Sequence, residues 1–151
     1  MNMQSTAIDS FLTKKTLALA GASRNGKKFG NTLLKKLVDG GYTVYPLHPV
    51  AKEIDGIQCV ASVRDLPSDV QALLLVVQPG ETEKLVREAK AAGIPNVWMQ
   101  QGAESEAAIR FCKDHGMDVV HGYCLLLFLE PVRGIHRFHR WILDVFGKLP
   151  Q

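Results

Sequence analysis

Apolar positions along this chain fall into two kinds of segment. Short runs rich in leucine, valine and isoleucine alternate with longer stretches in which apolar residues recur every three or four positions, and these read as strands and helices respectively. The runs predict strands at Thr16 to Ala20, Tyr42 to Leu47, Val70 to Val77, Asn96 to Met99 and Met117 to His121, with a short extra strand around Ile57 to Val60. Val70 to Val77 is almost unbroken, as expected of a strand buried on both faces, and marks the sheet centre.

The helical stretches lie between them. Phe29 to Asp39 presents Leu33, Leu34, Leu37 and Val38 as a buried stripe and stops at Gly40-Gly41. A helix after Pro79-Gly80 carries Leu85, Val86 and Ala89, and Ser105 to Asp114 buries Ala108, Ile109, Phe111 and Cys112. Ser5 to Leu12 and residues 132–151, with Ile135, Phe138, Ile142, Val145 and Phe146 in step, predict amphipathic helices packed at the two ends of the chain. Strands alternating with helices imply a single open, mainly parallel five-stranded sheet with helices on both faces, a Rossmann-like α/β fold.

With 151 residues the expectation is one domain over residues 1–151. Hydrophobic residues at 46% and charged residues at 22% are ordinary for a protein that buries a core. A net charge of +3 gives no reason to expect a nucleic-acid partner. Cys59, Cys112 and Cys124 form no CxxC pair, which favours a reducing compartment, and the polar start of the chain lacks the pattern of a signal peptide. The longest apolar run, Tyr123 to Leu129, is far short of the about 20 residues that a membrane span needs. The expected location is the cytoplasm, with no membrane span.

Open parallel sheets bind ligands beyond the carboxyl ends of their strands, so the loops there are the places to search. After the first strand comes Gly21-Ala22-Ser23-Arg24-Asn25-Gly26-Lys27-Lys28-Phe29-Gly30, leading into a helix. Its backbone amides, the helix dipole, the Ser23 hydroxyl and the cations Arg24, Lys27 and Lys28 all favour an anion such as a diphosphate. The spacing is neither GxGxxG nor the P-loop GxxxxGK[ST]. At the end of the second strand, Tyr45-Pro46-Leu47-His48-Pro49 offers no carboxylate for a plain NAD ribose, and the nearest, Glu53, lies beyond the proline. Arg24, Lys27, Lys28, His48 and Lys52 instead suit a phosphorylated ribose, as in coenzyme A (CoA) or NADP.

At this point four motifs in order carry a family resemblance: Gly21-Ala22-Ser23, Val44 to Pro49 (VYPLHP), Asp65-Leu66-Pro67, and Val97 to Gly102 (VWMQQG). The chain resembles the small stand-alone CoA-binding domain proteins, which are similar to the nucleotide-binding domain of the succinyl-CoA synthetase α subunit. The resemblance covers about Phe11 to Cys124. It implies that Gly21, Ala22 and Ser23, with Arg24, Asn25 and Lys27, hold the diphosphate of CoA or an acyl-CoA. It implies further that His48, Pro49 and Val50 border the adenosine, that Val77, Gln78 and Pro79 flank the nucleotide, and that Gln100 and Gln101 close the far side. The sequence departs from the family at His48, where asparagine is usual, and at Tyr123, where a basic residue is usual.

What the resemblance implies is a binding module that carries, senses or presents CoA, with a partner protein or a second copy as its audience. A ligase of this type needs further domains. The rival is an NADP-dependent oxidoreductase, which would share the phosphate loop and need a proton donor at the nicotinamide. No catalytic centre and no metal site are expected. His121, at a strand end, has no acid or nucleophile at a telling spacing, and His136 and His139 stand among Arg133, Arg137 and Arg140. Cys124 and Trp98 read as packing residues, and Glu104 and Glu106 as first-turn helix residues favoured by the dipole.

Overall fold

The computed structural model describes residues 3–129. Its elements run α1 (Met3–Leu12), β1 (Thr16–Ala20), α2 (Phe29–Asp39), β2 (Thr43–Leu47), β3 (Glu53–Ile54), β4 (Ile57–Gln58), β5 (Ala72–Leu75), α3 (Pro79–Ala91), β6 (Asn96–Met99), α4 (Glu106–Asp114) and β7 (Asp118–His121), with single 3₁₀ turns at Val63–Asp65 and Leu125–Leu127. Five strands form one sheet in the order β2-β1-β5-β6-β7, and every pairing in it is parallel. The expected Rossmann-like α/β architecture is present. The extra strand near residue 57 is β4, and its antiparallel partner β3 was not legible in the sequence.

Each strand divides its side chains between two cores, because successive residues point to opposite faces. Leu17, Leu19, Leu74, Trp98 and Val120 face α1 and α2, where Phe11, Leu33, Leu34 and Leu37 meet them. Ala18, Leu73, Leu75, Val97 and Met99 face Val86 and Ala89 of α3 and Ala108 and Cys112 of α4. Trp98 is fully buried as a packing residue, edge-on to Phe11 at 5.3 Å and to Phe128 at 5.6 Å between ring centroids. Its indole N–H donates to the Tyr123 carbonyl at 3.1 Å, so the one polar atom of the ring is satisfied.

Helix ends follow local chemistry. Gly40-Gly41 closes α2 with Tyr42 N–H bonded to Leu37 O and Gly41 N–H to Val38 O, the paired bonds of a Schellman stop. Pro79 is the first residue of α3, where its missing N–H costs nothing. Ser105 caps α4, and its hydroxyl donates to Glu83 of α3 at 2.6 Å.

Several expectations need correction. Val38 is 41% exposed, because it stands at the rim of the α2 stripe in the last turn, beside exposed Asp39 and Gly40. Ile109 and Phe111 are half-buried against α3 rather than enclosed. Cys124, expected to be a packing residue, is only half-buried, whereas Cys112 is fully enclosed as expected. Glu104 precedes α4 instead of lying in its first turn. The predicted helix over 132–151, with His136, His139 and their neighbouring arginines, lies outside the described residues. Among the described residues no helix is long and apolar enough to cross a membrane.

The strand order reverses at β1. The chain leaves β1 for β2 on one side and later returns to β5 on the other, so the loops after β1 and β5 diverge from neighbouring strand ends. The crossover from β2 to β5 carries only the 3₁₀ turn at Val63–Asp65 where a helix would otherwise lie, leaving a groove of about 670 Å³ between that turn and α3. None of the candidate residues lines it.

Candidate functional site

All fourteen candidate residues stand in loops that follow the carboxyl ends of β1, β2, β5 and β6, or at the helix start that such a loop enters. In that order of strands, β2 and β6 are three steps apart, about 14 Å at the usual spacing of neighbouring strands. The loops therefore form a row of about that length along one edge of the sheet.

Gly21 and Gly30 bring the first loop hard against its surroundings. Gly21 has φ 121°, and a Cβ there would run into the Val76 carbonyl group. A Cβ on Gly30, in the first turn of α2, would run into the Gly21 carbonyl. The loop thus passes between α2 and the end of β5 with no room for a side chain at either glycine. Val76 N–H bonds to Ala20 O at 2.9 Å and fixes the two strand ends together.

Asn31, which the sequence reading passed over, organises the loop from below. It is 5% exposed. Its Oδ1 accepts from the Ser23 N–H at 2.9 Å and its Nδ2 donates to the Ser23 carbonyl at 3.0 Å. The Ser23 hydroxyl donates to Asn25 Oδ1 at 2.6 Å, and Asn25 Oδ1 also accepts from Lys27 N–H at 2.9 Å. The amides of Ser23, Gly26 and Lys27 are therefore spent within the loop. Those of Arg24 and Asn25 have no acceptor among the described residues, and Lys28, the residue that precedes α2, provides no side-chain cap. Asn31 N–H bonds back to the Lys28 carbonyl at 2.9 Å, while the N–H groups of Phe29 and Gly30 have no acceptor among the described residues and stay open, as an anion site requires.

Arg24, Lys27 and Lys28 are exposed, and among the described residues the only ion pair is the remote Lys35–Asp39 contact at 3.9 Å. Three cations that form no ion pair among the described residues thus stand in the stretch that carries the open amides and enters the helix. A carboxylate does approach, but it is Asp55 of the β3–β4 turn, not Glu53, and its Oδ2 is bound by Asn31 Nδ2 at 3.0 Å.

His48 explains its own departure from asparagine. Its Nδ1 accepts from the N–H groups of Val50 at 3.1 Å and Ala51 at 2.9 Å, the turn-capping bonds that an asparagine oxygen makes. Pro49 and Val50 are exposed beside it, Val50 at 68%. On the loop after β5, Val77 is half-buried, while Gln78 and Pro79 are exposed at the start of α3.

The far side is tied down by side chains. Gln100 is 3% exposed, with Oε1 accepting from Leu125 N–H at 3.0 Å. Gln101 is exposed and donates to the Gly122 carbonyl at 3.3 Å. Glu104, outside the candidate set, accepts from Gly102 N–H at 2.7 Å and Gly122 N–H at 3.1 Å, which joins the loops after β6 and β7. His121 ends β7, and its pKa is pushed down by burial and by Lys113, against an opposing pull from Glu104. Among the described residues no group of three or more metal-ligating side chains converges.

The chain is 34% identical over 135 residues to the acetate-CoA ligase (ADP-forming) of Methanocaldococcus jannaschii, a match that takes in 89% of this chain and 19% of that one. The chain therefore spans about a fifth of the ligase. A conserved hypothetical protein from Pyrococcus furiosus superposes with a TM-score of 0.71 at 41% identity, over 75% of this chain and 97% of that one. A hypothetical protein from Pyrococcus horikoshii superposes with a TM-score of 0.76 at 30% identity, over 95% of this chain and 93% of that one. Residues 15–130 match the CoA binding domain family, which takes in β1 through the turn after β7, and the chain belongs to that family.

Proposed function

We propose that this protein binds coenzyme A or an acyl-CoA, with the diphosphate held by the loop from Gly21 to Lys27 and the adenosine bordered by His48, Pro49 and Val50. Val77, Gln78 and Pro79 flank the nucleotide, and Gln101 lies at the far side with Gln100 supporting it from within. The observation that carries this reading is the first loop and the helix start it enters: two glycines that admit no Cβ, and, among the described residues, open amides at Arg24 and Asn25, no side-chain cap on α2, and three cations without carboxylate partners. Such a cradle favours a diphosphate, and family membership favours CoA among the diphosphates. The module acts by binding and presenting the coenzyme, in the cytoplasm, to a partner protein or a second copy.

Isothermal titration with CoA, dephospho-CoA and NADP tests the reading. Removing the 3′-phosphate should cost about tenfold or more in affinity, the worth of one charge-assisted hydrogen bond. NADP binding more tightly than CoA would overturn it in favour of the oxidoreductase.

A further inference from the structure

The small β3–β4 hairpin is not part of the main sheet, yet one of its side chains reaches the first loop. Asn31 makes three hydrogen bonds, to the Ser23 N–H, the Ser23 carbonyl and Asp55 Oδ2, and its Oδ1 also lies 3.3 Å from the Ser23 hydroxyl, whose one proton goes to Asn25. Both N–H groups of this buried amide are therefore satisfied. Asp55 supplies the last of those partners. A carboxylate can only accept, so it holds Nδ2 toward itself and thereby keeps Oδ1 facing the Ser23 N–H.

The hairpin is built to hold Asp55 there. Ile54 is 1% exposed and Ile57 packs beside it on the α1–α2 core, anchoring both short strands. Asp55 has φ 52°, the only positive φ at a non-glycine among the described residues, and with Gly56 it forms the two-residue turn between β3 and β4. A Cβ at Gly26 would lie 3.4 Å from Asp55 Oδ1, so the carboxylate sits directly against the loop's second glycine.

We infer that the β3–β4 hairpin braces the phosphate-cradling loop, with Asp55 as a positioning residue that acts through Asn31 on the Ser23 peptide. A negative charge beside a proposed anion site opposes binding, so its presence there fits a geometric role better than an electrostatic one. The part of this inference that concerns ligand affinity rests on the CoA reading; the part that concerns the loop does not.

The test is amide hydrogen exchange of the intact chain by NMR, together with CoA titration, in wild type, Asp55→Ala and Asp55→Asn. In Asp55→Ala, the Ser23 amide should exchange about tenfold faster while Leu17 and Leu19 amides are unchanged, and CoA affinity should fall about tenfold. Asparagine keeps an acceptor for Asn31 and tolerates the left-handed backbone, so Asp55→Asn should restore Ser23 protection to within about threefold and restore or exceed wild-type affinity. This rescue is the readout that a merely bulk structural role would not give, and it remains measurable if the alanine variant fails to fold. Unchanged Ser23 exchange in a folded Asp55→Ala protein, or an Asp55→Asn protein as damaged as the alanine variant or unfolded, would overturn the brace. If wild type fails to bind CoA while Ser23 exchange responds as stated, the brace stands and the CoA reading falls.

Discussion

Replacing Gly30 with alanine sets two effects against each other. Gly30 lies in the first turn of α2, and alanine in place of glycine normally stabilises a helix by about 1 kcal/mol. Here the added Cβ would meet the Gly21 carbonyl group and the Ala22 nitrogen, which are backbone atoms that cannot rotate away. Overpacking of this kind costs about 1–3 kcal/mol. Because the receiving atoms are main chain, the upper half of that range applies, and the net loss should be about 1–2 kcal/mol.

Gly80 provides the control. It stands in the first turn of α3 at a negative φ, and a Cβ there meets nothing within 4 Å, so Gly80→Ala should be neutral or stabilise by up to about 1 kcal/mol. Urea denaturation of the two variants, with midpoints and slopes compared to wild type, separates the effects. In thermal scans the Gly30→Ala loss corresponds to about 2–8 °C in Tm for a chain of this size. A Gly30→Ala protein as stable as wild type, or a Gly80→Ala protein equally damaged, would refute the claim that the loop is wedged against α2.

Three further outcomes follow from the site and the core. Arg24→Ala with Lys27→Ala should weaken CoA binding, by more at low salt than at high, while changing stability by no more than about 0.5 kcal/mol per site, since both side chains are exposed and unpaired among the described residues; unchanged affinity by titration at two salt concentrations would place the phosphates elsewhere. Burial pushes the Cys112 thiol up to about 12, so the unfolded chain loses its proton first as pH rises above about 9, and wild type should lose up to about 2 kcal/mol more than Cys112→Ala between pH 9 and 10.5 in denaturant titrations; equal losses would contradict the burial. For His121 the folded pKa is lowered, so the unfolded state takes up a proton first on acidification and stability falls as pH drops through 6.5 and below; an NMR titration midpoint at or above 6.5 would show that the ring is not desolvated as described.

The parts of the fold that were legible in the sequence are those where burial dictates composition. Leu73 to Leu75 and Val97 to Met99 are covered on both faces, so they read as unbroken apolar runs, and five strand-like segments with helical stretches between them leave few alternatives to a parallel sheet. The first loop was legible because glycines and cations in a strand-to-helix turn have a direct chemical meaning. β3 was not, because two residues carry no period, and the pairing of Glu53–Ile54 with Ile57–Gln58 depends on where Ile54 is buried. Asn31 is one of several polar residues in an amphipathic helix, and nothing local reveals that its partner Asp55 lies 24 residues on. Val38 obeyed the helical spacing but stands past the covered part of α2, a limit that only the tertiary packing sets. His48 departed from the family residue, and its retention of the same turn bonds became evident only from the geometry.

The most direct test of the central claim is a crystal structure of this chain with CoA bound. The diphosphate should lie over the Arg24 and Asn25 amides and the first turn of α2, with Arg24 or Lys27 within hydrogen-bond reach of its oxygens. CoA found with its diphosphate away from that loop, or in the groove between the Val63–Asp65 turn and α3, would contradict the account.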